Sequence, residues 1–242
     1  MDDIIAAYQI AFATPFNVFL LFLTIAMLLF WWSAHWWQTP ERVKKRARFY
    51  SPKATQYLQK FRGDGPITKA VDFISQQVWL WVFTITVVLE VYICGLQGDQ
   101  AWRYGIPVIL AWGTSMTIQF LFPVIVPIRW NDFGRELPVV PIRLQQFKQS
   151  DVTNGLLYNG LPSNHFGMML AGVILSLFIS QSDPSHGWII LTFFFLALAL
   201  FFCISVIYLG EHYIWDLLAS IIVYVPIMVI VFNITNILVP MT

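Results

Sequence analysis

GWIILTFFFLALALFFCISVIYL (Gly187–Leu209), followed at once by GEHYIWD (Gly210–Asp216), decides the fold of this chain. The first part carries no charge and exceeds the roughly 20 apolar residues that a helix needs to cross a bilayer. The second part holds Glu211, His212 and Asp216 at the mouth of that run. Ionisable groups cost free energy at such a place, so a functional reading is the default. A second polar island, Leu161-Pro162-Ser163-Asn164-His165, precedes another apolar run.

The same pattern extends outward. Apolar runs predict six spans, at about 16–37, 78–95, 105–127, 165–181, 187–209 and 214–239. They must be helical, because an open sheet would leave backbone groups unpaired in lipid. The expectation is an all-α integral membrane protein with six transmembrane helices, forming a single domain over 1–242. Composition agrees: 58% of residues are hydrophobic and 11% charged, against roughly 25% charged in a globular domain. That excludes a soluble enzyme. The start, Met1-Asp2-Asp3, lacks the basic region of a cleavable signal, and Phe16–Trp37 is too long for one, so it is expected to remain as a span. Trp31, Trp32, Trp36 and Trp37 read as an interface belt, with Trp79, Trp81, Trp102 and Trp130 at other span ends. Cys94 and Cys203 fall inside spans and read as small apolar residues, neither a disulfide nor a metal pair.

Charge is unevenly distributed. The loop 38–77 holds nine of the fourteen Lys and Arg, among them Arg42, Arg48, Lys60 and Arg62. It reads as a topology determinant and, compatibly, as a patch for anionic lipid head groups. Glu41 to Lys60 is expected to form a surface helix turning Tyr50, Tyr57 and Leu58 to the lipid. The loop 128–160 adds Arg129, Arg135, Arg143 and Lys148. Six spans put both loops, His165, His212 and Asp216 at one membrane face. The positive-inside count makes that face cytoplasmic.

His212 and Asp216 stand at i and i+4, one turn apart on a helix face. A carboxylate behind an imidazole sets its tautomer and stabilises the imidazolium. The other ring nitrogen is then free to attack phosphorus or to take a proton. Ser163 is a candidate N-cap, with Asn164 and His165 in the first turn, where free backbone N–H groups suit an anion. Arg129 ends the third span, and a guanidinium fork matches a phosphate. It reads equally as an interfacial anchor.

Pro162-Ser163-Asn164-His165, followed by Ser205 and then His212-x-x-x-Asp216, resembles the second and third motifs of the type 2 phosphatidic acid phosphatase (PAP2) superfamily. Tyr208 to Tyr213, with Phe122-Pro123 through Pro127 and Arg129 upstream, is similar to its inositolphosphotransferase-like branch, related to inositol phosphorylceramide synthase. The resemblance covers about 120–220 as catalytic core. It implies a metal-independent enzyme without cofactor, working through a phosphohistidine. His212 would attack, Asp216 would orient it, and His165 would protonate the leaving group. Arg129, Ser163 and the backbone at Asn164 would hold the phosphate, with Arg135, Arg143 and Glu211 in support. The implied partners are a lipid phosphate and the bilayer, not nucleic acid. Relatives often place the site on the external or lumenal face, against the charge count. Three positions depart from the pattern. Asn164 replaces a Gly, Val206 replaces an Arg, and Phe122 stands where the first motif has a Lys.

Hydrolysis of a lipid phosphomonoester or isoprenyl diphosphate is the first reading. Transfer of a lipid head group is the second. A transporter, suggested by Glu90 within the second span, or a catalytically silent scaffold is the alternative of a different class. Glu211 with His165 and Asp216 offers metal-ligand chemistry, without the spacing of a two-histidine zinc helix. His35 and His186 read as interfacial or solvated. Gly113, Thr114, Ser115 and Thr117 read as close helix packing.

Overall fold

The computed structural model describes residues 25, 29, 40–140, 142, 161–182 and 186–238. The expected first span, its tryptophan cluster and His35 lie almost wholly outside these residues, as do Arg143, Lys148 and the side chain of His186. The described chain is helical and has no strand. Its helices are α1 (Pro40–Arg46), α2 (Lys53–Gln59), α3 (Pro66–Gln77), α4 (Phe83–Leu96), α5 (Ala101–Leu121), α6 (Asn164–Ser182), α7 (His186–Leu209) and α8 (Ile214–Leu238). A π-helical turn, Val78–Val82, joins α3 to α4. A 3₁₀ segment, Pro127–Phe133, follows α5.

Among the described residues, three stretches are long and apolar enough to cross a membrane: Asn164–Gln181, Gly187–Leu209 and Ile214–Thr235. Thr84–Leu96 is apolar but shorter. Large apolar side chains such as Phe193, Ile222 and Ile230 point outward. Lipid offers no hydrophobic drive between helices, so contact depends on small residues and close fit. Two glycines of α6 show this. A Cβ on Gly172 would lie 2.7 Å from the Phe195 ring of α7, and one on Gly167 would lie 2.1 Å from the Tyr224 ring of α8. Ser176 and Thr192 bond across α6 and α7 at 2.9 Å. Phe178 stacks on Phe232 of α8 at 3.8 Å between centroids.

The expected third span runs past its helix. α5 stops at Leu121 because Pro123 pushes Phe122 out of helical geometry (φ −128°, ψ 72°). The chain then runs extended, and Val124 pairs with Arg48. Arg48 donates to Pro123 O at 3.0 Å and its carbonyl accepts from Ile125 at 2.9 Å. The expected surface helix 41–60 is therefore broken into α1 and α2, with Arg48 and Tyr50 in the extended link between them. Tyr50 packs on Tyr213 at 5.7 Å rather than facing lipid.

The basic segment is stitched to one end of the bundle. Gln59 Nε2 donates to Tyr208 O at 2.8 Å and Val140 O at 3.1 Å. Val140 N–H donates back to Gln59 Oε1 at 2.8 Å. Gln56 Nε2 reaches Pro138 O at 3.0 Å. This end holds the exit of α5, the start of α6 and the α7–α8 turn. Glu90 lies in α4, 3% exposed, and neither carboxyl oxygen has a hydrogen-bond partner among the described residues.

Candidate active site

The turn between α7 and α8 is shaped by how each helix ends. Gly210 adopts φ +74°, the left-handed conformation that glycine takes without steric cost. Gly210 N–H bonds Ile207 O at 3.1 Å and Glu211 N–H bonds Val206 O at 3.0 Å, a Schellman closure of α7. A Cβ at Gly210 would also meet Ile128 Cγ2 at 2.7 Å. Val206, at the position of the motif's Arg, is fully buried and serves this turn through its carbonyl. On the far side, α8 begins at Ile214, so His212 precedes the helix rather than lying on it. Asp216 folds back over that start. Its Oδ2 accepts the Tyr213 backbone N–H at 2.8 Å and His212 Nδ1 at 3.2 Å. One carboxylate oxygen thus caps the helix and orients the imidazole.

That geometry sets the tautomer. Oδ2 is an acceptor, so Nδ1 carries the hydrogen and Nε2 presents its lone pair. Ser163 Oγ lies 3.1 Å from Nε2 and donates to it. The same Oγ accepts Phe166 N–H at 3.3 Å, which makes Ser163 the N-cap of α6. Ser163 is held on all sides: its N–H bonds Asp216 O at 3.1 Å and its carbonyl accepts from Ser220 Oγ at 2.8 Å. The α6 N-terminus and the α8 N-terminus therefore meet at His212. Ser163, His212 and Asp216 are all buried.

His165, in the first turn of α6, has its ring centre 6.4 Å from that of His212. Phe202 stacks on it at 6.1 Å, and Trp79 lies at 6.0 Å on a tilted plane. Trp79, read as an interface residue, also packs beside His165.

Asn164 is turned away from His212. Its Nδ2 donates to Gln119 Oε1 at 3.0 Å and contacts Met116 Sδ, and its Oδ1 accepts from Tyr224 OH at 3.4 Å. Gln119 Nε2 donates to Pro162 O. The side chain that replaces glycine is thus absorbed into the bundle, away from His212.

The Arg129 segment is anchored by Tyr213. Its hydroxyl donates to Ile125 O at 2.8 Å and accepts from Trp130 Nε1 at 2.9 Å. Ile128 N–H bonds Gly210 O at 3.2 Å. Arg129, the next residue, is 8% exposed beside the His212 turn. Burial pushes the Tyr213 hydroxyl up to about 12, so it stays a neutral donor. Arg135 stands 3.9 Å over the Phe49 ring, a cation–π contact. Arg143 lies outside the described residues, and Glu211 joins the turn through its backbone.

Sequence reasoning gave no role to Gln119, Tyr224 or Gly167, read Trp79 only as a span-end aromatic, and met Tyr213 only as part of the GEHYIWD stretch. Each acts through a partner distant in sequence. It also missed Arg48, whose guanidinium lies 6.0 Å from the ring of Phe122, the residue in place of the motif's Lys. A cation reaches that position from another segment.

Apolar helices of a membrane-associated bundle thus bring a His–Asp pair and a second histidine together at two helix mouths. The family model of the PAP2 superfamily matches residues 100–238, more than half of the chain, and the chain belongs to that superfamily. Neither curated proteins nor solved structures yield a match.

Proposed function

We propose that the protein is a lipid-phosphate phosphatase acting through a phosphohistidine at His212. The observation that carries this reading is the relay Asp216 Oδ2–His212 Nδ1 at 3.2 Å, with His212 Nε2 facing Ser163 at 3.1 Å. Superfamily membership supports phosphatase or phosphotransferase activity. A phosphoryl group entering between the two histidine rings displaces Ser163 Oγ from Nε2. The Nε2 lone pair attacks phosphorus, the bond to the leaving oxygen breaks, and His165 protonates that oxygen. Asp216 stabilises the imidazolium as it forms. Arg129, Ser163 Oγ and the Asn164 N–H hold the equatorial oxygens and the charge that builds on them. Water then gives a proton to His165 and attacks phosphorus, and the P–N bond breaks back to Nε2. No step uses a metal or cofactor.

The six-span topology belongs to this proposal, with the first span supplied by 16–37 and the basic loop at the catalytic face. Head-group transfer of the inositolphosphotransferase type is the second reading. Asn164, Val206 and Phe122 favour it, being departures shared with that branch. The half-reactions are the same and only the acceptor differs. The test is phosphate release by purified protein from phosphatidate, phosphatidylglycerol phosphate and undecaprenyl diphosphate, in chelator, beside His212→Ala. Metal-free release that vanishes in the variant supports hydrolysis. A new phosphodiester lipid without free phosphate supports transfer. Biological activity that survives His212→Ala would leave a transporter or scaffold.

A further inference from the structure

A cavity of about 270 Å³ opens between α2, α3 and α7, outside the histidine pair. Its apolar walls are Leu58, Phe61, Ile67, Val71, Ile204 and Tyr208. Of these, Phe61 is 72% exposed, Ile67 79% and Ile204 59%, a wasteful arrangement in water. Ile204 belongs to a stretch apolar enough to cross the membrane, so this wall meets acyl chains. The walls are braced. Arg62 Nη2 bonds Asp72 Oδ2 at 2.9 Å, and Tyr208 OH donates to Asp72 Oδ1. The cleft is thus held open by a three-residue latch that links the α2–α3 connection to α7.

Tyr208 lines the cavity and also belongs to the buried cluster on which Trp79 packs. Leu58, another wall residue, also packs on that cluster. The Trp79 ring lies 6.0 Å from the ring of His165. Trp79 sits in the π-helical turn Val78–Val82, a device that recurs at functional sites.

Resting on the phosphatase reading, we infer that this groove receives the apolar chain of the substrate, which crosses Trp79 when its phosphate lies on His212. Its volume holds on the order of nine water-sized groups, the size of a methylene. The site therefore selects for a linear chain beyond the head group, and Trp79 positions the first carbons next to the leaving oxygen.

The test uses the full chain in lipid nanodiscs. Dodecyl phosphate carrying a diazirine at the end of its chain should label peptides containing Leu58, Val71 or Ile204, and unlabelled dodecyl phosphate should suppress the label. Ile204→Trp or Val71→Trp, each filling the groove from an exposed position, should raise KM for dodecyl phosphate at least tenfold, equivalent to about two buried methylenes. Both should leave kcat, and turnover of butyl phosphate, unchanged. Competed labelling without phosphate release would preserve the groove and defeat the phosphatase reading. Equal labelling by the matching alcohol, or an unchanged KM in both variants with release intact, would overturn the groove as a substrate site.

Discussion

Replacing Asp216 with Asn isolates what its charge does. Asp216 is fully buried, and Oδ2 serves both the Tyr213 N–H at 2.8 Å and His212 Nδ1 at 3.2 Å. An asparagine that keeps its carbonyl there retains both bonds and the start of α8. It then puts an NH₂ at the place of Oδ1, which has no partner among the described residues. An unpaired buried donor costs about 1–3 kcal/mol, so a modest fall in melting temperature follows. The kinetic loss is larger in kind. The bond to the imidazolium of the transition state changes from charged to neutral, and charge-assisted bonds contribute about 1.5–3 kcal/mol. That predicts a kcat lower by about ten- to 150-fold. The opposite amide rotamer would donate to Nδ1, move the hydrogen to Nε2 and remove the nucleophile, deepening the loss. The assay is kcat on a long-chain phosphomonoester at saturating substrate, with thermal unfolding in parallel. A kcat within threefold of the parent, while His212→Ala is inactive, would refute the role given to Asp216.

Three further outcomes follow from the packing. Gly167→Ala places a Cβ 2.1 Å from Tyr224 Cε2, so it should destabilise by about 1–3 kcal/mol or more, and Tyr224→Ala should restore part of the melting temperature. Gln119→Leu releases Pro162 O and Asn164 together. It should raise KM more than it lowers kcat, because it loosens the phosphate cradle and spares His212, and steady-state kinetics separate the two. Tyr213→Phe strands the buried Ile125 carbonyl and should cost about 1–3 kcal/mol. In the parent, Tyr213 keeps its proton up to about pH 12 when folded and to about pH 10 when unfolded. The folded state therefore binds more protons between these values, and stability is level below pH 10 and falls as pH rises towards 12. The Phe variant should lack that component in a pH series of melting curves.

Much of the bundle was readable from one dimension. Runs of apolar residues ending at glycine or beginning after Pro-Ser carry their own boundaries, and α6, α7 and α8 start and stop within a few residues of the expected spans 165–181, 187–209 and 214–239. Ser163 as N-cap and the pairing of His212 with Asp216 were likewise legible, since both are local contacts. The end of α5 was not, because hydropathy counts Pro123 to Ile128 as apolar while proline geometry forces them out of the helix. Nor were the fates of Trp79, Trp130 and Tyr50. An aromatic residue at a span end suits an interface or a site wall equally, and only the fold chooses. Asn164 makes the same point. Its side chain stands where the motif has a Gly, and the partners that absorb it, Gln119 and Tyr224, lie 45 and 60 residues away.

The phosphohistidine reading requires a covalent bond between His212 and phosphorus. Rapid quench with a ³²P-labelled lipid phosphomonoester, in chelator and under alkaline conditions that preserve phosphoramidates, tests it most directly. An acid-labile, alkali-stable label should appear on the peptide containing His212 in the parent, accumulate in His165→Ala with a good leaving group, and be absent from His212→Ala. Phosphate release in the parent with no labelled protein at any quench time, or a label mapped to another residue, would contradict it.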